Sequence, residues 1–389
     1  MMRIVFLIIM SMMSLTVSAQ LFSYQYKSFV KLEHNSNKVM RNTDTESTTG
    51  ASLSNSLELY RTTARSESFL KASMLASEYS GEEEKIHSDE DYIFHYGTNY
   101  AWSRFTMSLD GDHRRESTYI NEIEDAGIKE NSKFRITNNV ALNATYIPSP
   151  KSAISIDLSI KDLAFPDAVP VSLSEYTFVN KSISGVYRLT EKNKIIFTLF
   201  ETNFDTHTTD TTTDTTGYNV SLQRVFNPLW SGMLMYGKRD SDFKPSCQVG
   251  DSCKNKGEMY NITLDREGIK SDFNFSYTKS LTPNTSGNLN QTKEFSLGYT
   301  ARFSPKLSTQ LRYQDYQNKS LTSSVSSRDR KNQTSTIKIN YILDTNWYLS
   351  GSYVHREQKF PDADDSSKAK SNGVYFLLGY NSNKTGLQL

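Results

Sequence analysis

Beyond its first twenty residues, this 389-residue chain has no apolar run approaching the roughly 20 residues that a membrane-spanning helix needs. Neither sign of charge dominates. The 44 Lys and Arg against 43 Asp and Glu lack the basic footprint of a nucleic-acid binder, so no nucleic-acid partner is expected. Cysteine is confined to two residues and histidine to six. No G-x-S-x-G nucleophile motif and no H-E-x-x-H zinc motif occurs, and neither a metal nor a cofactor is expected.

What is present begins with a targeting signal. Arg3 precedes an apolar core from Ile4 to Met13, and Val17-Ser18-Ala19 forms a small-residue cleavage site. These are the parts of a secretory signal peptide, with cleavage expected after Ala19. Residues 20–389 are then one mature domain, and the absence of cysteine after the cleavage site speaks against a lipid anchor. The mean hydropathy of −0.57 beside 23 Tyr and 20 Phe is unusual for a soluble enzyme. A barrel reconciles the two, because half of each strand faces water while aromatics gather at the membrane interfaces.

The clearest pattern lies between Gln291 and Phe360. Phe295, Leu297, Tyr299, Ala301 and Phe303 alternate with Glu294, Ser296, Gly298, Thr300 and Arg302, which is the period of a strand and not of a helix. The phase survives the Ser304-Pro305-Lys306 turn into Leu307, Thr309, Leu311 and Tyr313. A second pair repeats it, with Ile337, Ile339 and Tyr341, the Asp344-Thr345-Asn346 turn, then Trp347, Leu349, Gly351 and Tyr353. Strands of about ten residues joined alternately by short and long connections mark an outer-membrane barrel.

The same template fits the rest. It gives strands at Tyr24–His34, Ala51–Tyr60, Ser68–Tyr79, Tyr92–Ala101, Arg104–Asp112, Phe134–Ile147, Ala153–Phe165, Glu175–Leu189 and Lys194–Asp205. Tyr218–Phe226, Trp230–Phe243, Glu258–Asp265, Asp272–Lys279 and Gly373–Tyr380 complete it. The expected fold class is all-β: a transmembrane antiparallel up-and-down β-barrel of about eighteen strands, with sixteen as the alternative. Pro148-Ser149-Pro150 suits a turn. Arg114–Lys133 reads as the largest loop, Gly81–Asp89 as an acidic one, and Thr206–Gly217 as a low-complexity one. Either the last strand ends at Tyr380 and a tail follows, the reading favoured by the turn-like Asn381–Gly386, or it runs to Leu389.

Trp102, Trp230 and Trp347 all fall at short turns, as an aromatic girdle on the periplasmic side would require. Cys247 and Cys253 share one polar segment and are expected to form a local disulfide pinning a loop; a metal site is the rival, with no further ligand nearby. The acidic groups Asp89-Glu90-Asp91 and Asp362, Asp364, Asp365 lack calcium-loop spacing and read as solvated charge.

A barrel of 16 to 18 strands is wide enough for an aqueous channel. Asp157, Lys161, Glu294, Arg302, Gln310, Arg312, Lys338 and Arg356 are the candidate lumen-lining residues, among many Ser, Thr, Asn and Gln. Mixed charge with hydroxyls and amides suits a neutral or weakly charged hydrophilic cargo; the alternative is that these groups only wet and brace the lumen. His95 and His355 are the histidines best placed for a barrel-borne enzyme acting on lipid or peptide.

The hairpins YTARFSPKLSTQLRYQ, LQRVFNPLWSGMLMYGKRD and INYILDTNWYLSGSYVHRE resemble those of outer-membrane β-barrel proteins associated with exopolysaccharide export systems. That resemblance implies export of polysaccharide through the lumen with a periplasmic polysaccharide-export protein as partner, in addition to outer-membrane lipid and the barrel assembly machinery. A general or sugar-selective diffusion porin, expected as a trimer, is the alternative. The expected location is the outer membrane of a Gram-negative bacterium.

Overall fold

The computed structural model describes residues 21–38, 40, 47–80, 88–117, 134–166, 174–207, 211–244, 254–283, 289–320, 330–359, 368–383 and 385–387. The signal segment, the Cys247–Cys253 pair and the acidic trio Asp362, Asp364 and Asp365 lie outside them.

The strands are β1 (Leu21–Asn35), β2 (Thr48–Thr62), β3 (Ser66–Ser80), β4 (Ser88–Ala101), β5 (Phe105–Ser117) and β6 (Phe134–Ser149). They continue as β7 (Ser152–Ala164), β8 (Tyr176–Arg188), β9 (Asn193–Thr206), β10 (Thr211–Asn227), β11 (Trp230–Lys244) and β12 (Lys254–Arg266). The remainder are β13 (Ser271–Pro283), β14 (Leu289–Arg302), β15 (Leu307–Ser320), β16 (Arg330–Ile342), β17 (Trp347–Lys359), β18 (Lys368–Asn381) and the short β19 (Thr385–Leu387). Each of the first eighteen pairs antiparallel with its neighbours in sequence, and β18 returns to β1. The result is a closed eighteen-strand barrel. Closure satisfies the backbone of every strand, which is what a sheet in lipid must achieve.

The alternation read from the sequence sets the two faces. Leu297 and Tyr299 of β14 lie opposite Tyr313 and Leu311 of β15, and Ile337 of β16 lies opposite both Leu311 and Tyr353. Leu297, Tyr299, Leu311, Ile337 and Tyr353 are all exposed. Large apolar residues are exposed in the same phase on strands throughout the ring, from Val30 and Leu32 to Phe376 and Leu378. Three at alternate positions on β9, β10, β16 and β18, with fewer on most other strands, build the apolar belt that a lipid-facing surface needs. This is an outer-membrane barrel.

Short connections all lie at one end, and a recurrent side-chain device shapes most of them. Asn227 Oδ1 accepts the backbone N–H groups of Leu229 (2.9 Å) and Trp230 (3.0 Å). Asp344 Oδ1 accepts those of Asn346 (2.7 Å) and Trp347 (2.8 Å). Thr63, Thr190 and Ser304 accept in the same way with their hydroxyl oxygens. A side-chain oxygen thus replaces a backbone acceptor two and three residues on.

The seam between β18 and β1 carries extra polar ties. Ser371 Oγ donates to Asn35 Oδ1 (2.6 Å), and Asn37 Nδ2 donates to the Lys370 carbonyl (3.0 Å). Gln25 Nε2 donates to Asn381 Oδ1 (2.8 Å). Lys31 of β1 lies 5.7 Å from the Tyr375 ring of β18, and the buried Glu33 carboxylate beside it on β1 takes both Lys31 and Lys38 at 2.6 Å.

Four expectations change. Strands are 13 to 17 residues long where about ten were expected, because ladder hydrogen bonds continue above the bilayer where no apolar alternation marks them. The Thr-rich segment is mostly strand: Thr206 ends β9 and Thr211 begins β10, since β-branched threonine fits a pleated sheet. Residues 114–117 and 88–89, read as loop, likewise belong to β5 and β4, and Asp91 is buried, accepting the Ser117 N–H at 2.8 Å. The C-terminus does not trail off after Tyr380. β18 ends at Asn381, and Thr385–Leu387 rejoin β1 opposite Tyr24, Ser23 and Phe22, one residue out of step with β18.

The two turn N–H donors hold the Asp344 carboxyl below the usual carboxylate range. Its stabilising effect is therefore present above that range and lost as pH falls through the lowered value. Asp344→Ala should lower the unfolding temperature at neutral pH, with the difference shrinking towards pH 3 and below; thermal melts in detergent at the two pH values check this.

Candidate functional site: the lumen wall

Residues alternating with the lipid-facing set line the interior. Asp110 and Asp157 each stand five residues from the start of their strands, β5 and β7; Arg312 stands five from the start of β15, and Lys338 four from the end of β16. All four strand ends belong to the short-turn rim, so the four side chains share one level of the barrel. β5–β7 and β15–β17 are ten strands apart in a ring of eighteen, which sets them on opposite walls.

The two walls differ in kind. On the acidic side His95 Nε2 meets Asp110 Oδ2 at 2.9 Å, and Asp110 remains half exposed. Asp112 holds Arg114 Nε at 2.7 Å. Asp157 accepts from Asn143 Nδ2 and from Ser182 Oγ (3.3 Å), partners without charge. On the basic side Gln310 faces Lys338 across the ladder, Arg312 stands two residues along β15, and Arg356 stands higher on β17; Arg312 and Gln310 are exposed. No ion pair joins these three cations to a carboxylate among the described residues. Exposed charged side chains inside a barrel mean water inside it.

The other candidates are braced. Glu294 accepts from Gln314 Nε2 (2.8 Å), and Lys161 lies 5.9 Å from the Tyr176 ring. Arg302 pairs with Asp272 and donates to the Gly268 carbonyl at 3.0 Å, at the short-turn rim rather than mid-lumen. Sequence inspection missed Asp110, His95's partner, and the cluster of Lys27 and Lys71 around Glu58 at 2.9 and 3.6 Å. Inward phase was the signal available for them.

Trp102, Trp230 and Trp347 all sit at the short-turn rim; Trp102 and Trp347 are exposed. Trp347 packs edge-on to Tyr380 at 5.1 Å, and Trp102 packs on Tyr100 at 3.9 Å. His95 and His355 are in opposite phase: His95 faces the lumen, whereas His355 shares the outward phase of Tyr353 and binds Asn372 at 2.8 Å. They form no joint site.

At the long-loop rim the interior narrows. Leu163, Tyr176 and Phe204, with Phe165 just beyond β7, are nearly fully buried and pack with Leu289, while Leu281 and Phe178 add to the cluster. Leu281 and Leu289 are in the phase that faces lipid lower on β13 and β14, and those strands are not neighbours of β7–β9. The described upper end of the β13–β14 hairpin, at Leu281 and Leu289, therefore leans inward and docks on the wall of β7–β9.

No protein-family model and no curated protein matches the chain. Solved structures do. Pseudomonas aeruginosa OccK7 (OpdD) aligns with a TM-score of 0.53 at 8% identity, over 96% of this chain and 100% of that one. Pseudomonas aeruginosa OccK2 (OpdF) aligns at 0.52 with 10% identity, over 95% and 100%. Acinetobacter baumannii OccAB4 aligns at 0.51 with 10% identity, over 92% and 98%. At such identities the likeness is one of fold.

Leu289→Ser should free the hairpin tip by removing roughly 2–3 kcal/mol of apolar anchoring. Single-channel recording should then show larger or noisier current steps than the parent barrel.

Proposed function

We propose that the barrel is a passive outer-membrane diffusion channel for small hydrophilic solutes, favouring dipolar ones that carry both an anionic and a cationic group. The observation that carries this reading is the mid-lumen opposition of Arg312 and Lys338 to Asp110 and Asp157. Opposed charges across a water-filled gap orient a dipole and lower its passage barrier, while a solute of single charge gains on one wall what it loses on the other. The eighteen-strand fold shared with OccK7, OccK2 and OccAB4 is wide enough for an aqueous channel and supports this class. The polysaccharide-export reading drew on hairpin resemblance alone, and no observation on the lumen favours it over small-solute diffusion. In this reading the three tryptophans anchor the rim in the periplasmic interface, and the remaining inward polar groups keep the lumen wet.

Planar-bilayer recording and liposome swelling test it. The refolded barrel should conduct with weak ion selectivity and pass small zwitterions faster than anions of equal size. Arg312→Glu with Lys338→Glu should abolish that preference and shift selectivity towards cations by on the order of tenfold, taking about 0.4 kcal/mol per charge at ~10 Å in water. A folded barrel that stays silent, or one blocked only by long saccharides, would overturn the small-solute reading.

A further inference from the structure

The outer surface of β13–β18 carries a second, unexplained pattern of charge. Above the lipid-facing belt, ring contacts join neighbouring strands: Tyr260 to Tyr277 at 5.3 Å, and Phe295 to Phe275 at 5.6 Å and to Tyr313 at 6.0 Å. Aromatic residues at this depth mark the bilayer interface. Just beyond them, in the same outward phase, stand Lys279 on β13, Lys293 on β14, Lys331 on β16, Lys359 on β17, and Lys368 and Lys370 on β18. Two carboxylates share the surface, Asp315 on Lys331 at 3.0 Å and Glu357 on Lys359 at 2.9 Å. The far side of the barrel differs, presenting Glu78, Glu90 and Asp162 in outward phase towards the same rim.

The register makes this arrangement costly in isolation. Lys279 lies directly opposite Lys293, and Lys359 lies directly opposite both Lys331 and Lys368. Like charges directly opposed across strands destabilise a sheet. Asp315 and Glu357 offset part of this on Lys331 and Lys359, but six lysines against two carboxylates leave the arc net positive. An anion laid over such a face stabilises it, and the depth of the row says which kind. It faces neither lumen nor periplasm but the headgroup layer of the leaflet on the long-loop side, where long lysine stems lie along the belt and lift their ammonium groups to the interface.

We propose that this arc is a docking surface for a lipid bearing phosphate on its headgroup in the outer leaflet. The phosphates bridge the opposed lysine pairs, and the acyl chains run down the apolar belt beneath. The proposal is independent of what passes through the lumen.

The test uses the full barrel in phosphatidylcholine nanodiscs containing either bis-phosphorylated lipid A or its dephosphorylated form, with binding read by native mass spectrometry and thermal unfolding. The parent should bind the phosphorylated lipid at least tenfold more tightly and unfold at a higher temperature with it. A variant carrying Lys279→Gln, Lys293→Gln, Lys331→Gln, Lys359→Gln and Lys368→Gln should lose that preference. In phosphate-free detergent a variant carrying only Lys279→Gln and Lys293→Gln, the directly opposed pair that makes no ion pair among the described residues, should melt no lower than the parent, because their repulsion has been relieved. Glu78→Gln with Glu90→Gln should leave binding unchanged. Equal binding of both lipids by the parent, or full displacement by millimolar inorganic phosphate, would overturn the proposal. So would a variant that keeps the preference, or one whose only change is its oligomeric state, which would assign the face to contact between copies. Conductance of the variant should match the parent, which separates this result from any failure of the channel reading.

Discussion

Everything in this barrel depends on the pairing of β1 with β18. In hydrocarbon an unpaired backbone N–H or C=O costs several kcal/mol, and an open sheet would expose a whole row of them. The chain meets this constraint with a ladder of directly opposed residues from Lys27–Asn381 to Asn35–Gly373, reinforced by the hydrogen bonds of Ser371 and Asn37 and by Lys31 over the Tyr375 ring. Where that ladder loses step, β19 resumes it on the same strand. Closure then fixes which residues look inward, and so brings Arg312 and Lys338 across from Asp110 and Asp157 although they are far apart in sequence.

A second constraint acts at the turns. Side-chain oxygens at Thr63, Thr190, Asn227, Ser304 and Asp344 occupy equivalent places in five separate hairpins, each capping the N–H groups that open the next strand. Repetition of one local solution lets the hairpins form before distant strands meet. It also sets Trp230 and Trp347 three residues past the capping atom. A close approach of another sort appears at Gly217, where a β-carbon would lie 2.4 Å from the Phe200 ring and 2.5 Å from the Lys238 carbonyl. Only glycine lets that ring lie across the backbone of β10.

The barrel and its strand number were legible in the sequence because period-two alternation reports directly on a wall with lipid on one side and water on the other. The inward phase of Asp157, Arg312 and Lys338 was legible for the same reason. Two kinds of information were not. Strand ends above the membrane face water on both sides, so Thr211–Gly217 carries no apolar alternation and reads as a loop. Opposition across the lumen depends on ring closure, and no local pattern marks Asp110 as the counterpart of Arg312. The leaning of the β13–β14 tip was hidden too, because Leu289 has the same parity as residues that face lipid.

That leaning tip makes the mouth eccentric. Among the described residues the apolar lock stands on one side of the mouth, between β7–β9 and β13–β14, and no matching cluster of buried apolar side chains stands on β15–β18. In the proposed channel the described charges along this side run from Arg356, higher on β17 than Arg312 and Lys338, down to the Arg302–Asp272 pair at the short-turn rim. From the two ends they present different charge sequences along one path. In the proposed channel an electrical current would have no reason to be equal in both directions, and the rectification would trace to where Leu289 docks.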